Sequence, residues 1–208
     1  MSNKRKLDLL IDYINQDNKQ IESGASTVFN KNFFVKKYNR SFGNFDYDTK
    51  SPYVVDSYEH YSKEIDILPK LEKYDLTPKL IDFNNDTLIL SNCGEIITKQ
   101  NIPSNWKDQI YEIYKMLVKE NIYHNDFTST NVTVLNGKIY LIDFGWVSHN
   151  KPQYPYFNLT KDIIDKSLSL YELFENILNK SVNNRLSNIN SFNTHVNNYC
   201  RNSILNLF

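Results

Sequence analysis

The chain has 208 residues, enough for one domain or a compact two-lobed unit. Hydrophobic residues make up 40% and charged residues 23%, the balance of a globule that buries a core in water. The 24 basic and 24 acidic side chains cancel, so charge points to neither a nucleic-acid partner nor a membrane surface. The start, Met1 to Lys6, runs into an apolar stretch broken by Asp8 and Asp12, so no signal peptide is expected there, and no segment reads as a bilayer span. Two cysteines, Cys93 and Cys200, argue against a disulfide framework and against a zinc site. A reducing, cytoplasmic setting is expected.

Leu7, Leu10, Ile11 and Ile14 recur at helical spacing and predict an amphipathic helix over 5–15. Short strands are expected at Ser26 to Phe29 and Phe33 to Tyr38, around a turn at Asn30 to Asn32. Residues 39–57 hold Gly, Ser, Asp and Pro without periodicity and read as a loop. Tyr58 to Leu71 predicts a helix with Ile65, Leu68 and Leu71 inward. Leu80 to Phe83 and Thr87 to Leu90 are expected strands about an Asn84-Asn85-Asp86 turn. Ser104 to Glu120 predicts a helix with Trp106, Ile110, Ile113 and Leu117 inward. An irregular stretch with Pro152 and Pro155 follows Asp143. Thr160 then caps a long helix expected to bury Ile164, Leu168, Tyr171, Phe174 and Leu178, and a last helix is expected from Ile189 to Phe208.

The densest chemistry lies between His124 and Gly145. His124-Asn125-Asp126 leads to Asn131; Val132 to Tyr140 then reads as two strands joined by an Asn136-Gly137 turn, a strong hairpin signal. Folding that hairpin brings Asn131 and Asp143 toward one site, with Asp126 just upstream. A lone His-x-Asp or Asp-Phe-Gly is common by chance. In this order and at this separation they supply what phosphoryl transfer from ATP needs. Asp126 can take the proton of an acceptor hydroxyl, and Asn131 and Asp143 can hold Mg2+ on the phosphates.

The order of elements resembles the protein-kinase-like fold over roughly residues 20–180. The resemblance implies an α+β class with a small antiparallel-sheet N-terminal lobe (1–93) and a reduced helical C-terminal lobe (94–208), in one kinase-like domain. Phe33 to Lys37 resembles the strand that carries the ATP-binding lysine; matching its apolar triplet makes Lys36 that lysine and Lys37 its exposed neighbour. The partner glutamate is then Glu64, with Glu59 a rival on the same helix. Of the usual glycine-rich phosphate loop only Gly24 is present. Leu88 to Gly94 looks like the hinge strand, which puts the backbone of Ser91 and Cys93 on the adenine edge and Thr133 beneath the base. His124 is expected to brace the loop. Asn125 stands where many regulated kinases have arginine, and Thr128 where protein kinases usually have lysine.

The run His-x-Asp-Phe-Thr-Ser-Thr-Asn is similar to the catalytic loop of the compact kinase of the KEOPS tRNA-modification complex, His-Gly-Asp-Leu-Thr-Thr-Ser-Asn. Lys166 to Leu173 is also similar to that family, with Ser169 in place of an aspartate. As in that family and the RIO kinases, no Ala-Pro-Glu segment follows Asp143. These resemblances imply a minimal atypical kinase that uses ATP and Mg2+ to phosphorylate Ser/Thr hydroxyls of a protein substrate, with a regulatory protein partner possible. Two other readings stay open: a small-molecule (sugar-type) phosphotransferase, and a pseudokinase or ATPase subunit acting through a partner.

Overall fold

A computed structural model describes residues 19–23, 25–29, 32–38, 42–46, 51–55, 57–153 and 156–186, with backbone alone at 19–23, 25–29, 42–46, 51–55 and 183–186. The helices expected at 5–15 and 189–208, Cys200 and Gly24 lie outside the described residues. The chain divides into two compact units: Met1–Asn44 with Pro52–Cys93, and Phe45–Ser51 with Gly94–Phe208.

The first unit is built on an antiparallel sheet of β1 (Lys19–Ser23), β2 (Ala25–Phe29), β3 (Phe33–Lys37), β6 (Leu80–Phe83) and β7 (Thr87–Ser91), in the order β1-β2-β3-β7-β6. Part of the stretch read as a loop forms strands β4 (Phe42–Asp46) and β5 (Ser51–Val55), which pair in a ribbon of their own. Alternation did not reveal them because Gly, Asn and Asp interrupt β4 and a proline enters β5. Helix α1 (Ser57–Leu71) packs on β6 and β7. Its buried stripe is Ser57, His60, Tyr61, Glu64, Ile67, Leu68 and Leu71, so Ile67 rather than Ile65 faces the sheet. Tyr61 locks the helix to the sheet by donating its hydroxyl to the Asn84 carbonyl in the β6–β7 turn. Burial raises that phenol above its ordinary pKa, which keeps it a donor.

The second unit opens at Gly94, where φ is +89°. A Cβ there would lie 2.0 Å from the Val134 carbonyl oxygen, so only glycine lets the chain pass. Strand β8 (Glu95–Ile96) then pairs with β10 (Val132–Leu135), which also pairs with β11 (Lys138–Leu141). Asn136 and Gly137 take φ of +53° and +76°, the two-residue hairpin turn that the Asn-Gly pair predicts. Helix α2 (Trp106–Lys119) buries Ile110, Ile113, Met116 and Leu117, while Trp106 is only half-buried. Its Gln109 grips the hairpin tip, donating to the Gly137 carbonyl (2.9 Å) and accepting from the Ile139 amide (2.7 Å). Two short strands, β9 (Ile122–Tyr123) and β12 (Ser148–His149), pair antiparallel.

The long helix expected after Thr160 is two helices, α3 (Lys161–Lys166) and α4 (Leu170–Leu186). Thr160 does cap the first, accepting from the Ile163 amide. The break has a local cause. Ser167 turns its hydroxyl back onto the Ile163 carbonyl (2.7 Å), and Lys107 takes the Ser167 carbonyl (2.8 Å). Ser169 and Glu172 then start α4: the Ser169 hydroxyl accepts from the Glu172 amide and Glu172 accepts from the Leu168 amide. Leu168, expected inward, lies in the break and is 84% exposed. Among the described residues no helix is long and apolar enough to cross a membrane.

Candidate active site

The candidate residues form two clusters, one in each unit. In the first unit, strand alternation sends Lys36 inward and Lys37 to solvent. Lys36 is 9% exposed and Glu64 1%. The Lys36 ammonium lies 3.3 Å from both Glu64 oxygens. Glu59, the rival, is on the solvent side and pairs with Lys63 at 2.8 Å. Position on the helix decides between them: Glu64 falls on the stripe of buried residues and Glu59 does not.

Tyr38 was missed by sequence reasoning. Its hydroxyl donates to Glu64, and its ring lies 5.0 Å from the Lys36 ammonium. The signal was available, because Tyr38 sits two residues beyond Lys36 and so continues the same face of the strand. Tyr38 thus holds the anion and touches the cation of one buried pair. At the far end of β7, the Ser91 amide donates to the Lys79 carbonyl (2.9 Å). The Ser91 amide is therefore taken up inside the first unit. Cys93 is buried, with its thiol directed at the Ser91 carbonyl (3.8 Å).

In the second unit, a short 3-10 turn (Ser129–Asn131) follows Asp126 and returns Asn131 against it. The Asn131 side-chain amide donates to the Asp126 carboxylate (2.7 Å) and to the Asp126 carbonyl (2.9 Å). Both N–H groups are then used, and Oδ1 is the atom left to ligate a cation. The Asn131 carbonyl accepts from the Ile142 amide (2.9 Å), which ties the residue before Asp143 to the same loop. Asp143 has φ of +61°, a left-handed conformation uncommon outside glycine that asparagine and aspartate adopt more readily than other side chains do.

His124 acts as the expected brace. It is fully buried, its Nε2 donates to the Ile142 carbonyl (3.0 Å), and its ring meets Phe144 edge-on at 4.8 Å. The loop carrying Asp126 is thereby joined to both residues flanking Asp143. Thr128 pairs its hydroxyl with that of Thr130 (2.9 Å), so a neutral group occupies the place of the usual lysine.

The residues fit ATP and a magnesium ion. Asn131 and Asp143 offer the hard oxygen donors that magnesium prefers. The Thr133 hydroxyl is buried and has no hydrogen-bond partner among the described residues, which leaves it available to a bound group. Among the described residues no cluster of three His, Cys, Asp or Glu side chains offers an alternative metal site.

Sheet, hairpin and loop together define a protein-kinase-like fold of the atypical kinase class. The RIO domain model matches residues 21–184, and the chain belongs to that family, one of ATP-binding phosphotransferases. No curated protein matches the sequence. Among solved structures, the co-crystal structure of WbdD and the kinase inhibitor LY294002 is similar, at 14% identity and a TM-score of 0.47. The match covers 78% of this chain and 44% of that one, so this chain spans less than half the length of the protein it matches.

Proposed function

We propose that this chain is an ATP- and magnesium-dependent kinase that phosphorylates Ser/Thr hydroxyls of protein substrates. The observation that carries the reading is the Asp126–Asn131 pair. One hydrogen bond orients the carboxylate that would accept a proton and leaves the amide oxygen that would bind a cation. In this reading Lys36, held by Glu64 and Tyr38, neutralises phosphate charge, and Asp126 orients and deprotonates the acceptor hydroxyl. Magnesium held by Asn131 and Asp143 would offset the charge on the phosphates. Ser91, Cys93 and Thr133 are assigned to the base, and Gly24 to the phosphates. A protein acceptor is favoured because the RIO family is one of atypical protein kinases. A cytoplasmic setting and control by a protein partner complete the proposal.

The test is incubation with labelled ATP, magnesium and a generic protein substrate. Label on Ser or Thr is expected; label on a sugar-type acceptor in preference to any protein would reverse the substrate class. Thr128 favours one second reading. Without a lysine there, charge on a transferring phosphate is less well met, as in an ATPase that acts through a partner. Release of inorganic phosphate with no labelled acceptor would favour it.

A further inference from the structure

We propose that Asn125 is a positioning residue, a neutral clamp that fixes the segment after Asp143 against the loop carrying Asp126. The inference rests on the phosphotransfer reading of that loop. Asn125 is fully buried. Burial of a primary amide is costly unless each of its groups is bonded, and here each one is. Its Nδ2 donates to the Trp146 carbonyl and the Ser148 hydroxyl, both at 2.8 Å. Its Oδ1 accepts from the Gln153 amide and the Asn158 side-chain amide, both at 2.9 Å.

The backbone adds to the clamp. The Asn125 amide donates to Asn158 Oδ1 (2.8 Å), and its carbonyl accepts from the Phe157 amide (2.8 Å). The Phe127 amide donates to the Phe157 carbonyl (2.8 Å), so a parallel bridge joins Asp126 to Phe157. Asp126 is thus held on both sides by one residue of the segment. Asn125 reaches the segment where it leaves (Trp146, Ser148), at its middle (Gln153) and where it returns (Asn158). Its φ of +65° is one that asparagine tolerates better than other side chains do.

Phosphate switching orders such a segment by pairing a new dianion with a preplaced arginine. Residues 146–160 contain no arginine, and the place of the arginine is filled by Asn125 with its bonds complete. The clamp is uncharged, so it needs neither a phosphate nor a particular protonation state.

The experiment measures amide hydrogen exchange and steady-state kinetics on the full chain, comparing wild type with Asn125→Gly, which keeps the backbone conformation, and with Asn158→Ala. The Gln153 and Phe157 amides are the reporters. They should exchange much faster in both variants, while Ile113 and Met116 in α2 stay protected. The turnover number should fall about tenfold or more with KM for ATP unchanged, because Asp126 is misplaced and the nucleotide ligands are not. The double variant should be no worse than the poorer single one. Phosphatase treatment should leave the wild-type rate unchanged. Unchanged exchange at Gln153 and Phe157, faster exchange with full turnover, or loss of activity after phosphatase would each overturn the clamp. If the wild type transfers phosphate to no acceptor, the phosphotransfer reading fails, and exchange at Gln153 still decides whether Asn125 holds the segment.

Discussion

The Lys36 ammonium lies 3.3 Å from each carboxylate oxygen of Glu64, and both side chains are buried. Removing one member of such a pair leaves the other charge uncompensated, at a cost of about 3–5 kcal/mol. Glu64→Gln is therefore expected to lower the melting temperature more than the double variant Lys36→Met/Glu64→Gln, which has no stranded charge. Both should lose ATP affinity. Melting curves of wild type, Lys36→Met, Glu64→Gln and the double variant decide it: a double variant that loses the sum of the two single losses would show that the two residues are not coupled.

ATP binding should require a divalent cation. A single glycine, Gly24, stands in the stretch expected to cover the phosphates, so few backbone amides can approach them and the load falls on Lys36 and the metal ligands. In a thermal-shift titration, ATP with magnesium should stabilise the protein and ATP with a chelator should not. Equal shifts would remove Asn131 and Asp143 from nucleotide binding.

Asp126→Asn and Asp143→Asn should fail differently. In the first variant the new side-chain amide oxygen can still accept from Asn131, so the loop keeps its shape, but it cannot take a proton. Transfer should drop by roughly two to four decades with ATP binding nearly intact. Asp143→Asn should lose both. Wild-type turnover with equal ATP affinity in both variants would show the assignment of the two carboxylates to be wrong.

Gly94→Ala should destabilise the protein without touching any reacting group. An alanine Cβ would collide with the Val134 carbonyl at a φ that alanine avoids, so β8 must pull away from β10. A loss of at least about 1–3 kcal/mol is expected in denaturant unfolding. A wild-type midpoint would mean that the chain reroutes there at no cost.

Residues that act through their neighbours in sequence were legible in advance. The Asn136-Gly137 turn, the inward Lys36 and the Thr160 cap each follow from local rules of turn chemistry, strand alternation and capping. The break at Ser167 to Ser169 was also written locally, as a Ser-x-x-Glu capping box at Ser169 and Glu172. It was overlooked because the apolar spacing runs straight through it and Leu168 fits the pattern.

By itself, then, the sequence determined the periodic elements, the hairpin and the order of the chemistry-bearing residues, because these depend on interactions a few residues apart. Only the tertiary structure decided that Ile67 replaces Ile65 against the sheet and that Tyr38 clamps Glu64. It alone decided that Gly94 lies under the Val134 carbonyl and that Asn125 gathers partners 21 to 33 positions away. The physical reason is common to all four. A hydrogen bond or a steric contact between distant segments depends on where the whole chain places them, and neither periodicity nor propensity carries that information.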